Sequence, residues 1–100
     1  MKLQCADLAM DLLNRTVTRA GTPIDLTPRE FALLEFLLRA EGRIVGRAAI
    51  LQGAWGYNFE PGTNIVDVYI KRLRNKIDSG QELKLLSTER NLGYSLKVHR

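Results

Sequence analysis

Residues 64–78 read Asn-Ile-Val-Asp-Val-Tyr-Ile-Lys-Arg-Leu-Arg-Asn-Lys-Ile-Asp, a pattern that predicts one amphipathic helix. At about 100° per residue, three further apolar side chains fall within roughly 40° of Val66, which makes a stripe of four. These four are Val66, Ile70, Leu73 and Ile77. We therefore expect a helix from Thr63 or Asn64 to Asp78, ended by Ser79-Gly80, with this narrow stripe facing the core.

The opposite face of this helix carries cations and amides around one small apolar residue. It spans roughly 140° to 240° on the helical wheel and comprises Asn64, Val68, Lys71, Arg72 and Asn75. Such a mixture matches the base edges in a major groove, where Arg or Lys reaches guanine, Asn meets adenine and Val contacts a thymine methyl. Arg74 and Lys76 flank this face and are better placed for phosphates.

A second helix is predicted by the start signal in residues 26–31, Leu-Thr-Pro-Arg-Glu-Phe. Thr27 can cap the helix, Pro28 suits its first turn, and Glu30 completes a capping box. The apolar residues that follow cover more than half of the circumference, so we expect a central core helix that ends near Gly42. A short helix from about Arg47 to Ala54 comes next, and residues 55–63 are expected to form a loop.

The remaining segments alternate as strands do. Apolar residues recur from Leu3 to Leu26 between turn signals at Asn14-Arg15 and at residues 20–23, which indicates a small antiparallel meander. Residues 84–88 and 94–98 form the predicted arms of a terminal hairpin. Strands, three helices and a hairpin in this order indicate an α+β fold, a helix-turn-helix with the hairpin as its wing.

Composition limits the class of protein. The 100 residues, 45% of them hydrophobic, suit one domain with a real core. The single Cys5 and single His99 provide neither an intramolecular disulfide nor enough soft ligands for a zinc site. No apolar run approaches the roughly 18 residues of a membrane span, so we expect a soluble, cytoplasmic protein without membrane contact.

The net charge of +4 lies in the second part of the chain. Residues 1–63 hold seven Lys and Arg against seven Asp and Glu, whereas residues 64–100 hold eight against four. Segregated positive charge indicates a surface that faces a polyanion. No nucleophile with a base, paired carboxylates or glycine-rich phosphate loop is present, so neither an enzyme nor a cofactor is expected.

Three further features outside the helices are candidates for binding. Arg90 lies in the predicted hairpin turn, where a cation can enter a minor groove, although a turn arginine in water fits the sequence equally well. Thr88 either contacts a phosphate or simply occupies a strand. Trp55, Tyr57 and Phe59 suggest a stacking platform for single strands, but a tryptophan after a short helix is more often a core anchor.

These motifs together closely resemble the effector domain of OmpR/PhoB-type response regulators. The resemblance rests on residues 24–38, on Trp55-Gly56, on residues 64–78 and on residues 88–94, and it extends from Leu3 to Val98. It implies a winged helix-turn-helix with an N-terminal four-stranded antiparallel sheet, three helices and a C-terminal β-hairpin wing. It also implies transcription regulation through specific sites in double-stranded DNA, bound as a homodimer on tandem direct repeats.

Matched residue by residue, the resemblance implies DNA contacts on the recognition helix, the wing and Trp55. The helix positions that contact bases or backbone in the family are Asn64, Val68, Tyr69, Lys71, Arg72 and Arg74. Thr88 matches a wing phosphate contact, Arg90 the minor-groove arginine, and Trp55 an occasional phosphate contact. The loop of residues 54–62 matches a segment that touches RNA polymerase in some activators.

Two positions depart from the family pattern. Asn91 replaces the first glycine of the wing turn; asparagine tolerates positive φ well, so the turn survives with an altered tip. Asn64 stands where many members carry arginine, which weakens one phosphate contact.

The resemblance also indicates a branch of the family and the larger protein of which this domain would be a part. The run from Thr63 to Val68, together with Phe59, is similar to the copper and heavy-metal-response branch, in which a sensor kinase detects the metal. The family places a phosphoacceptor receiver domain, the target of that kinase, before the effector domain. Residues 1–100 are therefore expected to be a single effector domain, with the receiver domain expected upstream and absent from this chain.

A second function is compatible with the sequence, a winged-helix protein-interaction module. The loop from Trp55 to Phe59 would then bind the partner, and the basic helix would be an ordinary solvated face. Only Asp67 and Asp78 lie on that helix to pair with its cations, which favours DNA binding. The salt dependence of binding distinguishes the two functions. If the domain neutralises roughly four to six phosphates of DNA, log affinity falls against log salt with a slope of about −4 to −5.

We predict that Arg72→Ala loses specific DNA binding, by about 1 to 3 kcal/mol if this side chain makes a bidentate contact to a base. The measurement compares the affinities of the variant for a cognate and a scrambled duplex. Discrimination equal to that of the unsubstituted chain would overturn the assignment of Arg72 as a base reader.

Overall fold

The computed structural model describes residues 1–58 and 61–99, and it begins with an antiparallel sheet of four strands in sequential order. The strands are β1 (Lys2–Cys5), β2 (Leu8–Asp11), β3 (Thr16–Arg19) and β4 (Thr22–Pro23). The predicted meander is therefore confirmed, although β4 ends before Ile24. Proline has no N–H to donate, so Pro23 suits the edge strand of a sheet. The Ile24 N–H that follows it still donates to the Val17 carbonyl of β3 at 2.9 Å.

Helix α1 (Pro28–Arg39) follows, with the predicted capping box at its start. The Thr27 hydroxyl accepts the backbone N–H of Glu30 at 3.2 Å, and a Glu30 carboxylate oxygen accepts the N–H of Thr27 at 2.9 Å. The end of the helix differs slightly from the expectation, since the first residue with left-handed φ is Glu41 (53°), one position before Gly42 (84°).

The predicted second helix consists of two unequal parts. Helix α2 (Arg47–Ile50) continues directly as a π-helical turn over Leu51–Trp55. A Cβ placed on Gly53 would lie 2.2 Å from the ring of Phe36 in α1. The absence of a side chain at this position is therefore what allows the turn to pack closely against α1.

Helix α3 (Ile65–Ile77) confirms the predicted stripe. The side chains of Val66, Ile70, Leu73 and Ile77 are all buried and join the hydrophobic core with residues of the sheet and α1. Asn64 precedes the helix, and its side chain makes no capping bond there. No described helix is long and apolar enough to cross a membrane.

The C-terminal hairpin pairs β5 (Lys84–Glu89) with β6 (Gly93–His99). Tyr94 also forms a two-bond bridge to Val45, in the segment between α1 and α2, at 2.8 and 2.9 Å. A Cβ on Gly93 would lie 2.1 Å from the Val45 carbonyl oxygen, and its φ of 139° also favours glycine. Asn91 adopts φ of 64°, so asparagine takes a left-handed position in the wing turn as expected.

A buried ion pair joins the sheet, α3 and the hairpin. Arg19, at the end of β3, is only 2% exposed, and its NH1 lies 3.0 Å from a carboxylate oxygen of Asp78. The same guanidinium donates to the carbonyls of Ile77 and Leu83 and to Asp7. Asp78 in turn accepts the backbone N–H groups of residues 85 and 86 at 3.0 to 3.1 Å.

We predict that Asp78→Ala lowers the free energy of unfolding by about 3 to 5 kcal/mol, because it leaves a buried arginine charge without its buried carboxylate partner. Urea denaturation at neutral pH measures the change. Asp25→Ala, an exposed aspartate before α1, is the matched control and should stay within about 0.5 kcal/mol. A loss below about 1 kcal/mol in Asp78→Ala would contradict the structural importance of this pair.

Candidate nucleic-acid interface

The outward face of α3 is exposed along its length, as the helical wheel predicts. The five residues of this face that lie opposite the core stripe are all solvent-exposed: Asn64, Val68, Lys71, Arg72 and Asn75. Val68 is 37% exposed, so an apolar side chain stands among polar ones. Within residues 1–58 and 61–99, neither Lys71 nor Arg72 forms an ion pair. The face therefore presents uncompensated positive charge to solvent.

Asp67, in the first turn of α3, points toward the hairpin. Its carboxylate accepts a short hydrogen bond from the Tyr94 hydroxyl and a 2.6 Å bond from Arg47 of α2. These bonds, that from Tyr94 foremost, hold the pKa of Asp67 below its usual range, while burial and the bond to Asp67 raise the pKa of Tyr94. The acid is therefore ionised, and Arg47 neutralises it.

Asp78, just after the last turn of α3, is buried against Arg19 and the start of β5. Both acidic residues of the segment 64–78 are thus paired within the domain, Asp78 in a buried cluster and Asp67 at a partly exposed contact. Because Asp67 and Asp78 are already paired, neither one neutralises the cations of the outward face.

Arg74 connects α3 to the wing. Its Nε donates to the Leu86 carbonyl at 3.1 Å, and its NH2 donates to the Thr88 hydroxyl at 2.6 Å. The sequence assigned Arg74 and Thr88 to DNA as separate contacts; the structure brings the two side chains together as one hydrogen-bonded unit. Their roles toward DNA stay predictions.

The other flank of α3 is lined by aromatic rings. The Arg72 guanidinium lies 4.9 Å from the centre of the Tyr69 ring, and that ring meets Trp55 edge-on with centroids 5.4 Å apart. Trp55 is half-buried against the core, in agreement with its reading as an anchor. Arg29 of α1 completes the series, with its guanidinium carbon 5.3 Å from the centre of the Trp55 ring.

Lys76, which the sequence places beside the outward face, forms an ion pair within the domain, and its expected phosphate contact stays a prediction. Its Nζ lies 2.6 Å from Oε1 of Glu30, a carboxylate that is 3% exposed and already part of the α1 capping box. Burial opposes ionisation of Glu30, but the bonds from Lys76 and Thr27 outweigh it and hold its pKa below the usual range. The charge of Lys76 therefore fastens α3 to α1 and does not contribute to the outward face.

Arg90 is exposed at the turn of the wing, and it forms no ion pair with any described residue. The turn is closed by a 2.9 Å bond from the Leu92 N–H to the Glu89 carbonyl. A cation thus stands at the tip of a two-stranded ribbon, as the sequence predicts. Whether it enters a minor groove stays a prediction.

Metal ligands and the single cysteine were the remaining candidates for chemistry. Residues 1–58 and 61–99 contain no group of three potential metal ligands. Cys5 packs against the core, where burial raises the pKa of its thiol and makes it a weak nucleophile. Phe59 and part of the loop 54–62 lie outside the described residues, so the expectations placed on them stay predictions.

Sequence reasoning missed three residues beside this interface, Arg29, Arg47 and Tyr94. Their partners lie 20 or more residues away, and local periodicity carries no signal for such contacts. A partial signal did exist for Asp67, which sits on the wheel at about 100° from the stripe and so must face a neighbouring element on that side.

Comparison with known proteins identifies the family. Residues 21–96 match the family described as "Transcriptional regulatory protein, C terminal". The chain belongs to this family. Its winged helix is of the OmpR/PhoB response-regulator type, and the crystal structure of the Klebsiella pneumoniae RstA DNA-binding domain in complex with the RstA box matches it with a TM-score of 0.86. That match has 32% identity and covers 98% of each chain.

Two relatives refine the position within the family. The chain is 50% identical over 97 residues to the transcriptional regulatory protein CusR of Escherichia coli, covering 97% of this chain and 43% of CusR. It is also 50% identical over 96 residues to the transcriptional activator protein IrlR of Burkholderia pseudomallei, covering 96% and 42%. The chain thus spans less than half the length of these relatives. The match to CusR supports the copper and heavy-metal-response branch indicated by residues 63–68.

We predict that Tyr94→Phe lowers the free energy of unfolding at pH 7 by about 1.5 to 3 kcal/mol, because Asp67 loses a hydrogen bond to its charged form. The pKa of Asp67 is lowered by folding, so this stabilisation is complete above its unfolded pKa, about 3.9, and is lost as pH falls through the folded value.

Urea denaturation of the unsubstituted chain and of Tyr94→Phe, at pH 7 and at successively lower pH, measures this difference. The same substitution in an Asp67→Asn background should cost less and show little pH dependence. A cost that is equal in both backgrounds would contradict the coupling between Tyr94 and Asp67.

Proposed function

We propose that this domain regulates transcription by binding specific sites in double-stranded DNA, as the effector domain of a two-component response regulator. The observation that carries the proposal is the outward face of α3, where Lys71 and Arg72 lack acidic partners among the described residues while both acids of the helix are paired internally. The RstA domain, similar in fold and sequence, has been crystallised with its DNA box.

In this proposal α3 lies in the major groove and reads base edges. Arg72 donates N–H groups of its planar guanidinium to guanine. The Tyr69 ring beneath the guanidinium restricts the rotamers of Arg72 before binding, so less side-chain entropy is lost when DNA binds. Asn64 or Asn75 pairs with adenine, and Val68 contacts a thymine methyl. This mixture of groups recognises a short sequence and not merely a polyanion.

The flanks of α3 contact the two phosphate strands that border the groove. On the wing side, the hydrogen-bonded unit of Arg74 and Thr88 and the nearby Lys71 approach one strand. On the other side, Tyr69 and Trp55 approach the second strand with an N–H or O–H donor each. Phosphate contacts fix the register of the domain on DNA, and base contacts supply the specificity.

The wing supplies a second groove contact in this proposal. Arg90, exposed at the turn, enters the adjacent minor groove, where a narrow A·T-rich tract concentrates negative potential. The hydrogen bonds from Arg74 to β5 and from Tyr94 to Asp67 hold the wing against α3. Helix and wing then bind as one rigid unit.

The wider system is proposed from the family alone. The domain binds tandem direct repeats as a homodimer, and its loop of residues 54–62 touches RNA polymerase. A receiver domain upstream of this chain accepts a phosphoryl group from a sensor kinase and controls that dimerisation. The protein works in the cytoplasm, where its DNA is.

Selection of bound duplexes from a random pool tests the proposal. We expect enrichment of one short motif repeated in tandem, and a salt slope of about −4 to −5 for binding to a duplex that carries it. A pool without an enriched motif, together with a slope near zero, would overturn the proposal and favour the protein-interaction module.

We predict that Arg90→Ala weakens binding several-fold at selected sites with A·T-rich flanks and much less at the same sites with G·C-rich flanks. Fluorescence anisotropy with the two flank types measures this ratio. Lys97→Ala, an exposed cation of β6 away from the turn, is the matched control and should not distinguish the flanks. Equal weakening on both flanks would show Arg90 to be a plain phosphate contact.

A further inference from the structure

Arg29, in the first turn of α1, is an exposed cation that no part of the proposed interface uses. Its guanidinium lies over the Trp55 ring, and NH1 donates one short hydrogen bond to the Ala54 carbonyl. An arginine carries five N–H donors, so most of them stay available. Within the described residues no acid pairs with it.

The acid next to it in sequence is engaged elsewhere. Glu30 is 3% exposed, accepts the N–H of Thr27 and pairs with Lys76 at 2.6 Å. The first turn of α1 therefore contains one neutralised charge directed at α3 and one uncompensated charge directed at Trp55. A guanidinium fixed by a ring on one face and open on its other edges is suited to a phosphate.

The position of Arg29 follows from a series of ring contacts. The guanidinium carbon of Arg72 lies 4.9 Å from the Tyr69 ring centroid, and that of Arg29 lies 5.3 Å from the Trp55 ring centroid. The two ring centroids are 5.4 Å apart. The series starts on the outward face of α3 and ends on α1. Two neutral rings thus connect the cation on the outward face of α3 to a second cation on α1.

This series lies on the flank of α3 opposite the wing. Asp67 and Arg74 contact the hairpin on one side of the helix, whereas Tyr69 and Lys76 contact Trp55 and Glu30 on the other. A helix in the major groove has one phosphate strand on each side. The wing flank borders one strand, so Arg29 borders the other.

We propose that Arg29 binds a DNA backbone phosphate on the strand opposite the wing, held in place by the Trp55 ring. The inference rests on the proposed function and adds a cation from α1 to an interface otherwise formed by α3, the wing and Trp55. Because a phosphate contact carries no sequence information, Arg29 strengthens binding equally at all sites.

The test measures the salt dependence of affinity for a selected duplex and a scrambled duplex, using the 100-residue chain and its variants. Arg29→Ala should reduce the slope by about 0.9 and weaken binding about five-fold at physiological salt, with the ratio of the two affinities unchanged. Arg29→Lys should restore the slope, since it keeps the charge. Thermal denaturation confirms that each variant is folded at the binding temperature.

Arg39→Ala is the matched control, because it removes the same charge from the last turn of α1, where Arg39 pairs with Glu35. It should leave the slope unchanged. If Arg29→Ala also leaves slope and affinity unchanged while the unsubstituted chain retains a steep slope, the role of Arg29 is overturned and DNA binding stands. If the unsubstituted chain itself lacks salt-dependent DNA binding, both proposals fall.

Discussion

The buried ion pair of Arg19 and Asp78 is the constraint on which the arrangement of this domain depends. It connects the end of β3, the end of α3 and the start of β5 in one hydrogen-bonded cluster. Isolated charges at 2% and 5% exposure would be very costly, so the cluster is stable only when every partner is in place. That requirement fixes where α3 ends and where the wing begins.

The opposite end of α3 is fixed by a second polar contact, that of Asp67 with Tyr94 and Arg47. Arg74, in the last turn of α3, also bonds the helix to β5. These contacts pair both acidic residues of the segment 64–78, Asp67 and Asp78. Structural pairing and positive surface potential therefore have one origin, because the acids pair with other elements of the domain and leave the cations of the outward face uncompensated.

Features that depend on neighbouring residues could be predicted from the sequence. The capping box of Thr27 and Glu30 spans three positions, and the stripe of α3 repeats every three or four, so both are local. Arg19 could not be assigned a partner, because Asp78 lies 59 residues away. Strand alternation did contain a hint, since Arg19 lies two positions after the buried Val17 and so on the same face of β3.

In the candidate site, too, some features could be predicted from the sequence and others could not. Exposure of Lys71 and Arg72 follows from the wheel, whereas the destinations of Arg74 and Lys76 depend on long side chains reaching other elements. The close approach of the π-helical turn at residues 51–55 to α1 requires Gly53 against Phe36, a fit between distant residues that no propensity encodes.

Backbone amide chemical shifts in 15N-labelled protein, titrated with a selected duplex, test the central claim most directly. The account predicts the largest changes along α3 and at the wing turn around Arg90, with little change in the sheet β1 to β4. Changes confined to the sheet or to the loop after Trp55, with α3 unaffected, would contradict it.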